Sequence, residues 1–479
     1  MIQLSNSVKN SKYLFSALCI LLGCAMYGQK NIVSHTSGEG SFGLVTSKKT
    51  SKLVLDPSDF EGVNIAAKNF QKDIERVTGK LPEFISEVKG NGNVIIGTIG
   101  RNKMIDSLIQ HQNIDVSKIQ GKWEAYSIKK IGEDLLIIGS DKRGTIFGIY
   151  ELSKQIGVSP WYWWADVPAK KADELYIDNA GLTSTGPKVQ YRGIFINDEA
   201  PALSSWVTEN YGKFNHEFYE PVFELILRLK GNYMWPAMWG KAFYDDDPEN
   251  GVLADKYGIV MGTSHHEPLM RAQAEWGRYG SGDWNYETNA DTLKSFWRKG
   301  IERMGDRESL VTIGMRGDGD EPMTEGTAIS LLERIVKDQR EIISDVTQKP
   351  AEKTPQVWAL YKEVQDYYDQ GMRVPDDVTL LLADDNWGNI RKLPDPDEKE
   401  RAGGYGIYYH FDYVGGPRNY KWINTSQISR VYEQMSLAYA YEANKLWIVN
   451  VGDIKPMEYP ISFFLDYAWK PSKFNHVNT

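Results

Sequence analysis

From residue 190 onward the chain repeats one pattern, a short apolar run followed by a longer stretch with apolar residues every three or four positions. The runs predict strands at 191–197, 233–237, 259–263, 310–315, 356–360, 378–383, 406–410 and 446–451. The longer stretches predict helices at 218–230, 251–257, 293–304, 328–346, 364–370 and 428–443, with a last one at 461–469. Strands alternating with helices in this way predict a (β/α)8 barrel of the TIM type over 190–479. The pattern weakens only after the sixth strand, where 391–401 reads as a charged loop.

The chain ahead of the barrel has a different rhythm. Residues 51–182 predict a small N-terminal α/β domain, and 183–189 (TSTGPKV) a linker. In the small domain, strands fall at 53–55, 93–97, 126–131 and 135–139, the last two joined as a hairpin through Gly132-Glu133-Asp134. Ile65, Ala66, Phe70, Ile74 and Val77 mark one apolar face of a helix that ends at Gly79, and Asp141 caps another over 141–152. Residues 29–50, polar and rich in Gly, Ser and Lys, read as a flexible leader. Residues 1–28 read as a secretory signal, with Lys9 and Lys12 ahead of an apolar run (YLFSALCILLG) too short to span a bilayer. Leu21-Leu22-Gly23-Cys24 is also a lipobox-like sequence, so a soluble periplasmic product and an outer-membrane lipoprotein held by Cys24 both remain open.

Composition narrows the chemistry. Cys19 and Cys24 are the only cysteines and both lie in the signal, so the folded part has no disulfide, thiolate metal site or cysteine nucleophile. A net charge of −9 argues against a general nucleic-acid or anionic-membrane partner, leaving a lipid anchor as the one expected membrane contact. The 15 Trp and 27 Tyr are many, and aromatic faces are what the C–H faces of sugars pack on.

In a barrel the C-terminal strand ends build the active site. Here they run into Asn197-Asp198-Glu199, then Trp235 to Trp239, then Ser264-His265-His266-Glu267. The fourth ends in Arg316, Asp318, Asp320 and Glu321, interleaved with Gly317 and Gly319, and the fifth in Tyr361-Lys362-Glu363. The last three reach Asp384-Asp385-Asn386, His410-Phe411-Asp412 and Asn450-Val451-Gly452-Asp453. Ionised groups closing an apolar strand must be paired or used, because desolvating them is costly. Carboxylates, amides, imidazoles and indoles on one face suit glycosidic cleavage, which needs one carboxylic acid for the leaving oxygen and a second carboxylate for water or C1. Other readings stay open. His265-His266-Glu267 is a polar substrate contact, a satisfied loop pair or, less fittingly given its compressed spacing, a metal site. Asp384-Asp385 reads as a sugar contact, a cation site or an acidic loop, Asp245-Asp246-Asp247 as a solvated turn, and Glu363 as a helix N-terminal dipole partner.

Taken together, YRGIFINDE (191–199), NYMWPAMW (232–239), MGTSHHEP (261–268), GMRGDGDEP (314–322), LADDNWGN (382–389), YYHFDY (408–413) and WIVNVGD (447–453) resemble the family 115 glycoside hydrolases, which are xylan α-glucuronidases. The resemblance implies removal of (4-O-methyl-)glucuronic acid from glucuronoxylan or aldouronic oligosaccharides, with inversion and without a metal or other cofactor. Carried over by position, it makes Glu363 the general acid and Asp320 the general base, with Asp198 as the fallback carboxylate. Arg316 would grip the uronate carboxyl bidentately, and His410, Asn386, Asn450, Asn197, His265, His266 and Trp239 would hold the sugar. The resemblance implies domains past the barrel that help form homodimers, so this chain, ending at Thr479, reads as a truncated fragment or a shortened relative. The rivals are another exo-glycosidase of the hexosaminidase kind and a glycan-binding lipoprotein without turnover.

Overall fold

The computed structural model describes residues 31–197, 200–323, 328–397, 400–413 and 423–474. The signal and Asp198 lie outside the described residues. The expected alternation is present. Eight strands, β1 (Tyr191–Phe195), β2 (Tyr233–Trp235), β3 (Val260–Met261), β4 (Val311–Thr312), β5 (Gln356–Leu360), β6 (Thr379–Ala383), β7 (Tyr405–His410) and β8 (Leu446–Asn450), form one parallel sheet in the order β3-β2-β1-β8-β7-β6-β5-β4. Its two edges meet where Leu310 N–H donates to Met261 O (2.9 Å) and Thr312 Oγ1 donates to Thr263 O (2.7 Å), which closes the sheet into a barrel.

Period-two alternation divides each strand between two cores. Phe195, Trp235, Leu381, Tyr408 and Ile448 fill the barrel, while Ile194, Met234, Leu380, Ile407 and Val449 pack outward under the helices. Those helices are α1 (His216–Arg228), α2 (Glu249–Tyr257), α3 (Tyr286–Met304), α4 (Ile329–Thr347), α5 (Glu363–Asp369), α6 (Ile428–Ala440) and α7 (Glu458–Trp469). No helix forms among the described residues between β6 and β7, in keeping with the charged sequence there. Gly193 is required where β1 and β2 approach, since a Cβ would sit 1.7 Å from Tyr233 O.

Upstream, strands Phe84–Ile85, Leu53–Leu55, Val94–Thr98, Asp134–Gly139, Tyr126–Ile131 and Leu182–Ser184 form a six-stranded mixed sheet in that order. Helices Glu61–Thr78 and Lys142–Gln155 pack on it, the second capped by Asp141 Oδ1 accepting from Gly144 N–H (2.8 Å). The leader expectation is corrected here. Val33–Ser34 and Phe42–Val45 are strands on either side of Leu175–Ile177, and Ile32, Phe42, Leu44 and Val45 are buried. A partner strand more than a hundred residues away orders this polar stretch. The expected linker also begins inside a strand, because Leu182–Ser184 pairs with Tyr126–Ile131.

The small domain meets the N-terminal end of the barrel through buried charge. Glu124 accepts from Arg143 Nε (2.5 Å), from Arg192 Nη2 on β1 (2.6 Å) and from Asn232 Nδ2 just ahead of β2 (2.7 Å). Arg143 also forks onto Glu308, below β4, at 2.7 and 2.8 Å. Arg192 and Glu124 have no solvent exposure at all, and Arg192 depends on Glu124 for its charge compensation.

Candidate active site

At the opposite end of the barrel, the segments after β3, β4 and β5 converge on one guanidinium. Arg316 follows β4 and is buried. Its Nε and Nη2 fork onto Glu363 Oε1 and Oε2 at 2.9 and 2.7 Å, and its Nη1 donates to both the Oδ1 and the backbone oxygen of Asp320. The two carboxylates singled out as acid and base are thus held on different edges of the same cation. Glycine at 319 and a left-handed Asp320 (φ 67°) turn the chain back so that residue 320 faces residue 316. Glu363 is the first residue of α5, where a helix N-terminal carboxylate stands, and its side chain turns to Arg316. Lys362, also left-handed (φ 49°), lies beside them with Nζ 3.7 Å from Asp320 Oδ2. Burial and the neighbouring Arg316 lower its pKa.

Asp320 also receives the histidine pair. His265 Nε2 donates to Oδ1 at 3.0 Å, and His266 Nδ1 lies 3.2 Å from the same oxygen, out of hydrogen-bond alignment. Burial, then the adjacent His266 and Arg316, push His265 well below its ordinary value. Burial likewise lowers His266 to about 4, so both rings are neutral near pH 7. His265 Nδ1 and both His266 nitrogens are buried with no hydrogen-bond partner among the described residues. His265, His266 and Asp320 each bring one ligand atom within 4.8 Å of the others, a grouping that could hold a metal ion. A further cation there would stand against Arg316 and Lys362, whose charges already disfavour protonated imidazoles, so the donor set suits hydroxyl groups better. Glu267 points elsewhere: it accepts from Gln273 N–H (2.8 Å), and burial raises its pKa.

The second half of the site belongs to β6, β7 and β8. His410 Nδ1 pairs with Asp384 Oδ1 at 2.5 Å, and Tyr413 OH donates to Asp384 Oδ2 at 2.8 Å. Burial raises the Asp384 carboxyl, with His410 pulling against that rise. Its neighbour Asp385 instead braces the β6 turn, accepting from Trp387 N–H (2.8 Å) and Asn389 N–H (2.9 Å). Asn450 stands level with Phe195 and His410 on its two flanking strands, accepts from Gly452 N–H (2.9 Å) and faces Tyr408 OH at 3.5 Å. Asn197 is buried just past β1, and Asn386 is half-buried on the β6 turn.

Aromatic rings surround these groups. Tyr361 lies 4.4 Å from His265 and 5.8 Å from His410, Tyr408 lies 4.2 Å from His410, and half-exposed Trp239 sits at the rim 6.1 Å from His266. Burial raises Tyr361 to about 12, so its phenol stays neutral.

Of the residues singled out in the sequence, Glu363, Asp320, Arg316, His265, His266 and Trp239 form one connected group, and His410 joins it through Tyr361 and Tyr408. The sequence places Tyr361, Lys362, Tyr408 and Tyr413 at strand ends but gives them no role of their own, although the spacing of His410 and Tyr413 just past one strand end was a usable signal. Asp245, Asp246 and Asp247 are not a bare solvated turn: the first two accept from Arg278 Nη1 (2.6 Å each) and the third pairs with His216 Nδ1 (2.6 Å).

A family model for glycosyl hydrolase family 115 matches residues 184–479. Among solved structures, the chain is similar to a family 115 4-O-methyl-α-glucuronidase with specificity for decorated arabinogalactans, at 36% identity and a TM-score of 0.84. That match covers 90% of this chain and 58% of the relative, so the chain spans little more than half the relative's length. A family 138 enzyme targeting pectin rhamnogalacturonan II (12% identity, TM-score 0.52, 89% and 51% of the two chains) shares the fold alone. So does CpGH84D (14% identity, TM-score 0.50, 89% and 66%). No curated protein matches the chain.

Proposed function

The chain belongs to glycosyl hydrolase family 115, and from that premise we propose that it hydrolyses (4-O-methyl-)α-D-glucuronic acid side chains from an extracytoplasmic plant glycan with inversion. The observation that carries the reading is the Arg316 bridge, two carboxylates held by one guanidinium beside neutral imidazoles. Glu363 is the general acid and Asp320 the general base, carboxylates bound to different edges of one guanidinium, and inversion requires an attacking water to fit between them. Asp198 stays the fallback base.

The bridge also suggests how substrate and chemistry are coupled. In the fork both Glu363 oxygens accept from Arg316, so Glu363 can act as the acid only after the fork opens and the carboxylate takes up a proton from solvent, which it then passes to the glycosidic oxygen. A uronate carboxylate is the natural competitor for that fork, and Lys362 adds a second positive charge at its edge. Binding of the correct sugar then releases the acid, which a neutral sugar cannot do. The unpartnered nitrogens of His265 and His266, with Asn197, Asn386, Asn450 and His410, are matched to ring hydroxyls, and Trp239 to the sugar face.

Glucuronoxylan and aldouronic oligosaccharides are the first substrates, and the relative's description favours a decorated arabinogalactan as the second. The test is release of uronic acid from each, with the anomer followed by NMR as it forms. Release of the β-anomer by the native chain and none by Glu363→Gln supports the reading. Release of the α-anomer, or undiminished turnover by Glu363→Gln, refutes it.

A further inference from the structure

On the outer face of α1, lined by none of the residues around Arg316, a groove of about 450 Å³ runs between this helix and helix Glu61–Thr78 of the small domain. We propose that this groove is a second, non-catalytic binding site for a uronate-bearing polysaccharide. Two independent observations carry the proposal.

The first is a rigid aromatic platform open to solvent. Trp163, which lines the groove, and Trp206, beside it on the connection from β1 to α1, are 41% and 37% exposed. Their ring centroids lie 6.2 Å apart, edge to face. Trp164 braces both, at 4.9 and 5.8 Å, and is itself buried and fixed by Nε1–H donating to Pro221 O (3.1 Å). Two indoles fixed in place yet left wet are poor core residues and good stacking surfaces, since little side-chain freedom is lost when a flat apolar face settles on them.

The second is a basic stripe that the helix does not need. Lys68, Lys72 and Arg76 recur at intervals of four on helix Glu61–Thr78, so they share one face, and all three line the groove. Like charges at this spacing repel and weaken a helix. Lys68 and Lys72 are exposed, and neither makes an ion pair among the described residues, in a chain whose net charge is −9. Arg76 is braced by Asp73 (2.7 Å) and stacks on Tyr162 at 4.4 Å. On the opposite wall Glu224 is paired with Arg228 Nε (2.7 Å) and also holds Tyr162 OH (2.9 Å), while Glu220, which accepts from Tyr257 OH (2.8 Å), leaves one carboxylate charge against the two ammonium groups of Lys68 and Lys72. The balance of the groove is therefore positive. An indole platform edged with ammonium groups is matched to a sugar chain whose C–H face stacks while its carboxylates meet the lysines.

The experiment is affinity electrophoresis of the whole chain through native gels containing glucuronoxylan, with xylan stripped of its uronate branches as the control. Glucuronoxylan should retard the native chain and Arg316→Ala alike, because the groove is independent of the barrel mouth. Trp163→Ala should raise the apparent dissociation constant about tenfold. The exposed pair Lys68→Glu/Lys72→Glu, which leaves the packing intact, should abolish retardation at low salt. Equal retardation of both variants and the native chain, equal retardation by the stripped xylan, or no retardation of the native chain would each overturn the proposal. Uronate release is read separately, so an inactive chain that is still retarded refutes the catalytic reading and leaves this one standing.

Discussion

Removing the guanidinium of Arg316 is the perturbation with the sharpest consequences. Arg316→Ala leaves Glu363 and Asp320 facing each other, both mostly buried (side chains 19% and 15% exposed), with their principal cation gone. Breaking a buried pair by deleting one partner costs about 3–5 kcal/mol. Partial exposure of the carboxylates and the nearby Lys362 put the expected loss at the lower end, about 3 kcal/mol. Arg316→Lys restores a charge but reaches only one carboxylate without the fork, so about half of that loss should persist. Turnover should fall about a hundredfold even in the lysine variant, since displaced acid and base are no longer aligned. The assay is urea unfolding followed by tryptophan fluorescence, with the slope compared between variants, alongside kcat/KM on an aldouronic oligosaccharide. A double-mutant cycle with Glu363→Gln isolates the pair: once the carboxylate is neutral, Arg316→Ala should cost about 1–2 kcal/mol less than it does alone. An Arg316→Lys chain with native stability and native kcat/KM would refute the reasoning.

Two further outcomes follow from buried charge elsewhere. His266 is held at about 4 when folded against an ordinary 6.5, so the unfolded chain takes up its proton first. Its stability contribution is complete above the unfolded value and is lost as the pH falls towards the folded one. Between pH 6.5 and 5 this amounts to about 1.5 kcal/mol, and His266→Gln should flatten the pH dependence by that amount in urea unfolding. An unchanged slope would count against burial as the cause. At the other end of the barrel, Glu124→Gln strands the unexposed Arg192 without its counter-charge. Urea unfolding should show a loss of about 3 kcal/mol, and a midpoint within error of native would mean that the charge is compensated elsewhere.

The barrel was legible because strand and helix periods alternate strongly from residue 190 onward, and most of the polar residues named at the strand ends lie together in space. The pairing inside the site was not legible. Nothing in RGDGDE tells which of three carboxylates returns to Arg316; that is decided by Asp320 turning left-handed after a glycine. Glu363 reaches the same guanidinium from a different strand, which no spacing encodes. Asp384 could not be separated from Asp385 by sequence, yet one turns inward to His410 while the other braces a turn. The strands at 33–34 and 42–45 were hidden for a related reason, since their order comes from Leu175–Ile177 and not from their own composition.

The Glu124 cluster bears on how this protein can be taken apart. The family match begins at residue 184, and a cut there looks natural on the page, since it keeps every barrel strand. In space it severs Arg192 and Asn232 from the single carboxylate that serves both, and Glu308 from Arg143. A barrel excised at that point would carry an orphaned cation in its floor, so the unit that can be swapped, truncated or grafted is the barrel together with the upstream domain.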